Sequence, residues 1–344
     1  MVVTEFQDII QFSTGNPESS RKILIYFVPG NPGLVEYYRR FLEHLRGLLR
    51  EAKRKEHILI YAASHDGFEF QEETKRLHNH QNHAPPYSLA EEVQGLISKI
   101  STRAHQTAEE HPGSTLDVIL VGHSVGSYML LEAIEWYQQQ TSEKAVYNII
   151  GAICLFPTIV DMFRSDKGRV FKWILPIPGL GLALTGIIRL LQFFSPGLLT
   201  SLAKKHTPGP EGWEVTEALA KSDYGIRQVI YMARRELSEI THDKWHPATL
   251  WGVVDENDAS HLNARTKLFF LWAHKDYWVH DDTRDEIIAK RRTRGTHETR
   301  HWPCMELLEN EDIPHTFSLD PEHCRCVAMK TAEWIVEGLL EGVR

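Results

Sequence analysis

The 344-residue chain predicts an α/β protein: one mostly parallel sheet flanked by helices and interrupted by a helical insertion. Apolar runs alternate with amphipathic stretches, strand then helix, from residue 22 to residue 159. Val118, Ile119, Leu120 and Val121 form an unbroken apolar run, as a strand covered on both faces requires. That run passes through a glycine-flanked serine directly into a helix-patterned segment.

KILIYFVPGNPG, residues 22–33, is a strand ending in a Gly/Pro-rich loop. Residues 34–50 follow with helical spacing. HILIYAASHDG, 57–67, is a second strand and loop. SLAEEVQGLISKI, from Ser88, has a serine N-cap, a nearby Glu and helically spaced apolar positions. VILVGHSVGSYMLLEAIEW, 118–136, reads as a strand, a sharp turn and a buried helix. YNIIGAICLFPTI, 147–159, is another strand, ending at Pro157. TKLFFLWAHKDYWV places a strand at roughly 266–273, and THETRHWPCMEL fits a last strand. A helix closes the chain from Pro321. Strand–helix repetition of this kind builds right-handed crossovers, and sites in such sheets lie beyond the carboxyl ends of the strands.

The alternation breaks over 160–262, too long a stretch for a plain loop, so an inserted cap is expected within a single domain spanning 1–344. WILPIPGLGLALTGII, from Trp173 to Ile188, carries no charge but is short and proline-broken for a membrane span. LLQFFSPGLLTSLA follows Arg189. Lys167, Arg169 and Lys172 precede the pair, and Lys204 and Lys205 follow it. Apolar segments with basic flanks suit a lipid-contact element over about 170–203; a buried helix over the active site is the competing reading.

The net charge is −8, from 38 basic and 46 acidic residues, which gives no basis for nucleic-acid binding. Cys154, Cys304, Cys324 and Cys326 include a C-x-C pair too close for a disulfide framework or zinc ribbon, in keeping with a reducing compartment. His78, His80 and His83 sit in a polar segment before Pro85 and Pro86; a solvated loop is expected there, and no metal. The N-terminal MVVTEFQDIIQF has no basic region followed by an apolar core, so no signal peptide is expected.

Gly122, Ser124 and Gly126 form the G-x-S-x-G of a nucleophile elbow. A serine raised on a tight strand-to-helix turn needs neighbours without side chains, and the following helix points N–H groups at the site. Serine needs a base, and the base needs a carboxylate to orient it. With this elbow the chain order is Ser, then Asp or Glu, then His. Asp276 leaves a late strand, and His315 lies in a later loop, so both fit the order. Asp281 and Asp282 lie farther from the strand end; His301 falls in the last strand and His323 at the start of the last helix. For an oxyanion hole the candidates are the amides of Val125 and Asn31. Pro32 has no N–H to offer, and Gly30 and Gly33 allow close backbone approach. His65 and His123 are further candidates for the pocket.

The segments VPGNPG (28–33), SHDG (64–67), GHSVGSY (122–128), LFPTI (155–159), HKDYWV (274–279) and IPHTF (313–317) resemble the lipid droplet-associated hydrolase family of α/β-hydrolases, in the family's order. The resemblance implies an α/β-hydrolase fold with Ser124, Asp276 and His315 as triad. It implies a serine esterase or lipase for neutral lipid esters, sterol esters or acylglycerols, without a cofactor. It also implies association with lipid droplets and the cytosolic face of the endoplasmic reticulum. One departure is Ser64-His65-Asp66-Gly67-Phe68, where the family usually has a small residue within S-H-x-G-H. A droplet-surface scaffold with little turnover, and a soluble esterase or thioesterase, are the alternatives. Oligomeric state is not legible in the sequence.

Overall fold

The computed structural model describes residues 6–77, 83–140, 146–207, 209, 212–245, 250–251, 266–291, 303–310 and 312–341. Seven strands form one sheet: β1 (Ile9–Gly15), β2 (Arg21–Val28), β3 (His57–Ala63), β4 (Thr115–His123), β5 (Asn148–Leu155), β6 (Lys267–Trp272) and β7 (Cys304–Leu307). Their spatial order is β1-β3-β2-β4-β5-β6-β7. Among the described residues only β1 runs antiparallel, against β3; the other pairings are parallel. This is the α/β-hydrolase arrangement.

Strand alternation divides the core into two halves. Val118 and Leu120 of β4 point to one face of the sheet, Ile119 and Val121 to the other, and all four are fully buried. The first face is covered by α3 (Leu89–Glu110) and α4 (Val125–Gln140). The second is covered by α1 (Arg39–Glu51) and α11 (Pro321–Glu333). α3 starts where the sequence places it: Ser88 accepts from the Glu91 amide, and Glu91 reaches back to the Ser88 amide.

The strand β1 is absent from the sequence reading. It is a half-exposed edge strand, and its short apolar start carries no strong pattern. The short helix α2 (Glu72–Leu77) lies between β3 and α3. Between β5 and β6 stand α5 (Asp166–Ile174), α6 (Leu180–Phe194), α7 (Pro196–His206), α8 (Gly212–Lys221) and α9 (Gly225–Glu239), within the expected insertion. α10 (Asp281–Arg291) follows β6. β7 covers Cys304–Leu307 of the expected last strand; His301 and residues 78–82, with His78 and His80, lie outside the described residues. His83 is exposed and hydrogen-bonded to Glu91 at 2.7 Å.

Within the insertion, α8 and α9 bury Val215, Leu219, Met232 and Leu237, whereas α5 and α6 bury little of their apolar surface. In α6 only Thr185 is buried. Trp173 is 76 %, Phe193 81 % and Phe194 75 % exposed, with Leu182, Ile187 and Leu190 exposed beside them. Among the described residues, no helix is long and apolar enough to cross a membrane.

Candidate active site

The turns after β2, β3, β4, β5 and β6 converge at the carboxyl end of the sheet, and the loop holding His315 reaches the same place. Ser124 stands between β4 and α4 with φ of 55°. A non-glycine residue is strained there, and the surroundings hold it in place. Its N–H donates to the Leu155 carbonyl at 3.0 Å, and its own carbonyl accepts from the Ser127 N–H at 2.9 Å. The flanking glycines are required by contact. A Cβ on Gly126 would sit 2.3 Å from the Pro29 carbonyl oxygen, and one on Gly122 would sit 2.4 Å from Leu130.

The Ser124 hydroxyl oxygen lies 2.9 Å from His315 Nε2. His315 Nδ1 lies 2.7 Å from Asp276 Oδ2. A carboxylate only accepts, so Nδ1 carries the proton and Nε2 is left to accept from the serine. The other carboxylate oxygen of Asp276 accepts from the Trp278 and Val279 N–H groups at 2.7 and 3.3 Å. One oxygen thus closes the turn after β6 while the other orients the imidazole. Asp281 and Asp282 open α10 instead, and His323 lies in the first turn of α11.

A second hydrogen-bond chain runs behind this one. His123 Nε2 lies 2.9 Å from the His315 carbonyl oxygen, and His123 Nδ1 lies 2.8 Å from the Tyr38 hydroxyl. The Tyr38 oxygen in turn accepts from the Gly30 N–H at 3.0 Å. The carbonyl can only accept, so His123 is a neutral Nε2–H tautomer and Tyr38 donates to Nδ1. Burial holds the His123 pKa well below the usual histidine range, and neighbouring His315 adds to the effect. Burial likewise pushes the Tyr38 phenol far up.

A cavity of about 360 Å³ opens in front of Ser124 and His315. Asn31, His123 and Trp278 line it together with Met162, Leu175 and α8 and α9 side chains. Its wall is mostly apolar. The Tyr37, Thr216 and Thr207 hydroxyls on that wall bond one another, at 2.7 and 2.9 Å. Val125, the first residue of α4, has no intrahelical acceptor for its N–H. The Asn31 N–H makes no hydrogen bond among the described residues, whereas the Gly30 N–H is taken by Tyr38.

Three expected pocket residues do not reach the cavity. Gly30 packs close against Ser124, His123 and Tyr38, and Gly33 against His65, without lining it. His65 is buried, donates its N–H to the Gly33 carbonyl at 2.8 Å and bonds the Pro29 carbonyl through Nε2 at 2.9 Å. Burial pushes its pKa down to about 4, so it stays neutral.

Sequence reasoning missed Tyr38, Thr158 and Glu236. Tyr38 sits in a segment patterned as an ordinary amphipathic helix. Thr158 follows β5, is buried, and holds its hydroxyl 3.5 Å from Ser124 Oγ. Glu236, on α9, lines the cavity and accepts from the Asn31 side-chain amide at 2.8 Å. Asn31 Nδ2 also lies 3.2 Å from the Val229 carbonyl, so α9 is pinned to the loop after β2.

A family model described as lipid-droplet associated hydrolase matches residues 21–318. A Gallus gallus protein named lipid droplet-associated hydrolase is 25% identical over 277 residues, 77% of this chain and 74% of that one. One of the same name from Rattus norvegicus is 29% identical over 153 residues, 44% of this chain and 42% of that one. Among solved structures, the haloalkane dehalogenase DatA from Agrobacterium tumefaciens superposes with a TM-score of 0.56 at 13% identity. That superposition covers 96% of this chain and 93% of DatA, and it reflects the shared fold.

Proposed function

The chain belongs to the lipid droplet-associated hydrolase family, and from that premise we propose that it is a serine ester hydrolase acting on neutral lipid esters. The observation that carries the reading is the continuous chain Ser124–His315–Asp276, with links of 2.9 and 2.7 Å at the mouth of an apolar cavity.

His315 Nε2 takes the Ser124 proton as Oγ attacks the ester carbonyl, giving a tetrahedral oxyanion. The Val125 and Asn31 backbone N–H groups serve as its donors. Asp276 holds the proton on His315 Nδ1 and stabilises the imidazolium. His315 then protonates the departing alcohol, leaving an acyl-serine. A water deprotonated by His315 attacks this acyl group and releases the acid, restoring the serine. No step calls for a metal or organic cofactor.

The helices of the insertion act as cap and lipid contact together. Their inner side closes the cavity, while Trp173, Leu182, Phe193 and Phe194 face outward with Lys167, Arg169, Lys172, Lys204 and Lys205 exposed around them. On this reading the enzyme works at the lipid-droplet surface, which the family's name supports, and the same face would suit the cytosolic leaflet of the endoplasmic reticulum.

Turnover of cholesteryl ester, triacylglycerol and short-chain esters by wild type and Ser124→Ala tests the chemistry. The reading expects activity in the wild type and its near-complete loss in the variant. Equal activity in both would sink it, and mapping a fluorophosphonate adduct to a serine other than Ser124 would do the same. Rescue of a cellular lipid phenotype by Ser124→Ala would favour the scaffold reading. Charging the outer face at Trp173, Phe193 and Phe194 should release the protein from droplets; unchanged targeting would refute the lipid-contact role.

A further inference from the structure

We infer that Glu236 is a hydroxyl-binding subsite of the cavity, and that the preferred substrate is a partial ester whose alcohol portion keeps a free hydroxyl. This rests on the ester-hydrolase reading and narrows it from neutral lipid esters in general to acyl esters of a polyol.

The cavity wall is mostly apolar; most of its polar side chains named above are paired, and two keep unused acceptors, Asn31 through its buried Oδ1 and Glu236 through its carboxylate. The hydroxyls of Tyr37, Thr207 and Thr216 satisfy each other, and His315 and Ser124 are paired. Glu236 is different. It is 4 % exposed, yet its carboxylate has one hydrogen-bond partner, the Asn31 amide, for two oxygens. Among the described residues, no lysine, arginine or histidine pairs with it. A buried carboxylate with spare lone pairs is costly, and a ligand that supplies a donor removes that cost.

The donor class follows from the surroundings. A cationic headgroup would be held by one carboxylate within an apolar wall, without a second acid to complete the pairing. Burial also pushes the Glu236 pKa up to about 7, so near neutrality the group is only partly charged. A hydroxyl suits both forms, donating to the carboxylate or accepting from the neutral acid. A fully esterified glyceride or a sterol ester has no hydroxyl to offer and would leave Glu236 desolvated and short of a partner.

The subsite also shares one cavity with the nucleophile and its base. Asn31 belongs to the loop proposed to hold the oxyanion and lines the same cavity as Ser124 and His315. An alcohol group bound at Glu236 is therefore held in the chamber where Oγ acts.

Binding of 1-O-octylglycerol and of octyl methyl ether to Ser124→Ala protein, by calorimetry, tests the inference without needing turnover. We expect octylglycerol to bind at least about tenfold more tightly. Adding Glu236→Leu should collapse that ratio to within about twofold. Glu236→Gln, which keeps an acceptor for Asn31 and guards against a folding failure, should reduce the ratio at least about threefold. Equal affinity for the two ligands in the parent protein, an unchanged ratio in either variant, or tighter binding of octylamine than of octylglycerol would overturn the inference. With active enzyme, the kcat/KM ratio of 1-monooleoylglycerol to ethyl oleate should fall in the same variants, mainly through KM. Loss of all ester turnover in the wild type would overturn the hydrolase reading and leave the binding result to decide the subsite.

Discussion

The Tyr38 hydroxyl sits 2.8 Å from His123 Nδ1, and through that contact the loop after β2 is tied to the loop that carries His315. The chain is directional: Gly30 N–H to Tyr38, Tyr38 O–H to His123, His123 N–H to the His315 carbonyl. Each donor has one acceptor, and all are buried away from water. Two loops far apart in sequence are thereby set relative to each other around Ser124.

Tyr38→Phe removes one oxygen from this chain and leaves the ring packing against Phe27 and Phe317 in place. The Gly30 N–H loses its acceptor and His123 Nδ1 loses its donor. Unsatisfied buried groups cost about 1–3 kcal/mol each, so a total loss of ~2–6 kcal/mol is expected. On the proposed function, ester turnover should fall as well, because the loops that carry Asn31 and His315 are both loosened. Unfolding in urea and steady-state kinetics read the two effects; a variant as stable and as active as wild type would show the chain to be idle.

Asp276→Asn separates the two duties of that carboxylate. The asparagine oxygen can still accept from the Trp278 and Val279 N–H groups, so the turn after β6 survives. Its NH₂ group then faces His315 Nδ1 as a donor. The imidazole is driven to carry its proton on Nε2, and Ser124 is left without a base. We expect kcat to drop about 10³–10⁴-fold with Tm little altered. Retained turnover would place the proton acceptor elsewhere.

Much of this site was legible because its residues lie at strand ends in a fixed chain order. Ser124 was marked by flanking glycines, and Asp276 and His315 by following the late strand in the right sequence. The structure brings the three within hydrogen-bond reach. Tyr38 and Glu236 were not legible, since their roles come from approaches between distant segments. Asn31 and Glu236 meet across 205 residues, and no local pattern announces that contact. Gly30, Gly33 and His65 misled for the opposite reason. Close backbone approach is real there, of Gly30 to Ser124 and His123 and of Gly33 to His65, but none of the three lines the cavity.

Glu236 makes stability depend on pH in a stated direction. Its folded pKa, pushed up to about 7 by burial and eased by the Asn31 hydrogen bond, lies above the ordinary glutamate value of about 4.3. Between those values the native state binds more protons than the unfolded chain, so this group's contribution is complete below about pH 4.3 and is lost as pH rises through about 7. Glu236→Gln has no such titration. Relative to wild type it should gain up to ~3 kcal/mol between pH 4 and pH 8. Urea midpoints at several pH values measure the difference; parallel curves for the two proteins would refute it.

Gln228 holds the insertion to the body of the protein by using its whole side-chain amide. Its oxygen accepts from the Tyr87 N–H at 2.6 Å, and its nitrogen donates to the Tyr87 carbonyl and to Glu92, each at 3.0 Å. The residue is fully buried, so water does not share these bonds. Glu92 is itself buried beside Asp66, and burial first and Asp66 second raise its pKa far above the glutamate range. The neighbouring ion pair of Lys99 with Asp66, at 2.5 Å, anchors the same corner. Gln228→Leu keeps the volume but strands three polar groups at once. A loss of ~3–5 kcal/mol is expected, well beyond a surface substitution. Because α9 also carries Glu236 and the carbonyl of Val229, its loosening should release Asn31 and slow ester turnover before the sheet unfolds. Amide exchange should accelerate in α9 and at Tyr87 while β4 and β5 stay protected. Exchange that rises equally through the sheet, or a stability loss under about 1 kcal/mol, would show that Gln228 does not clamp the insertion.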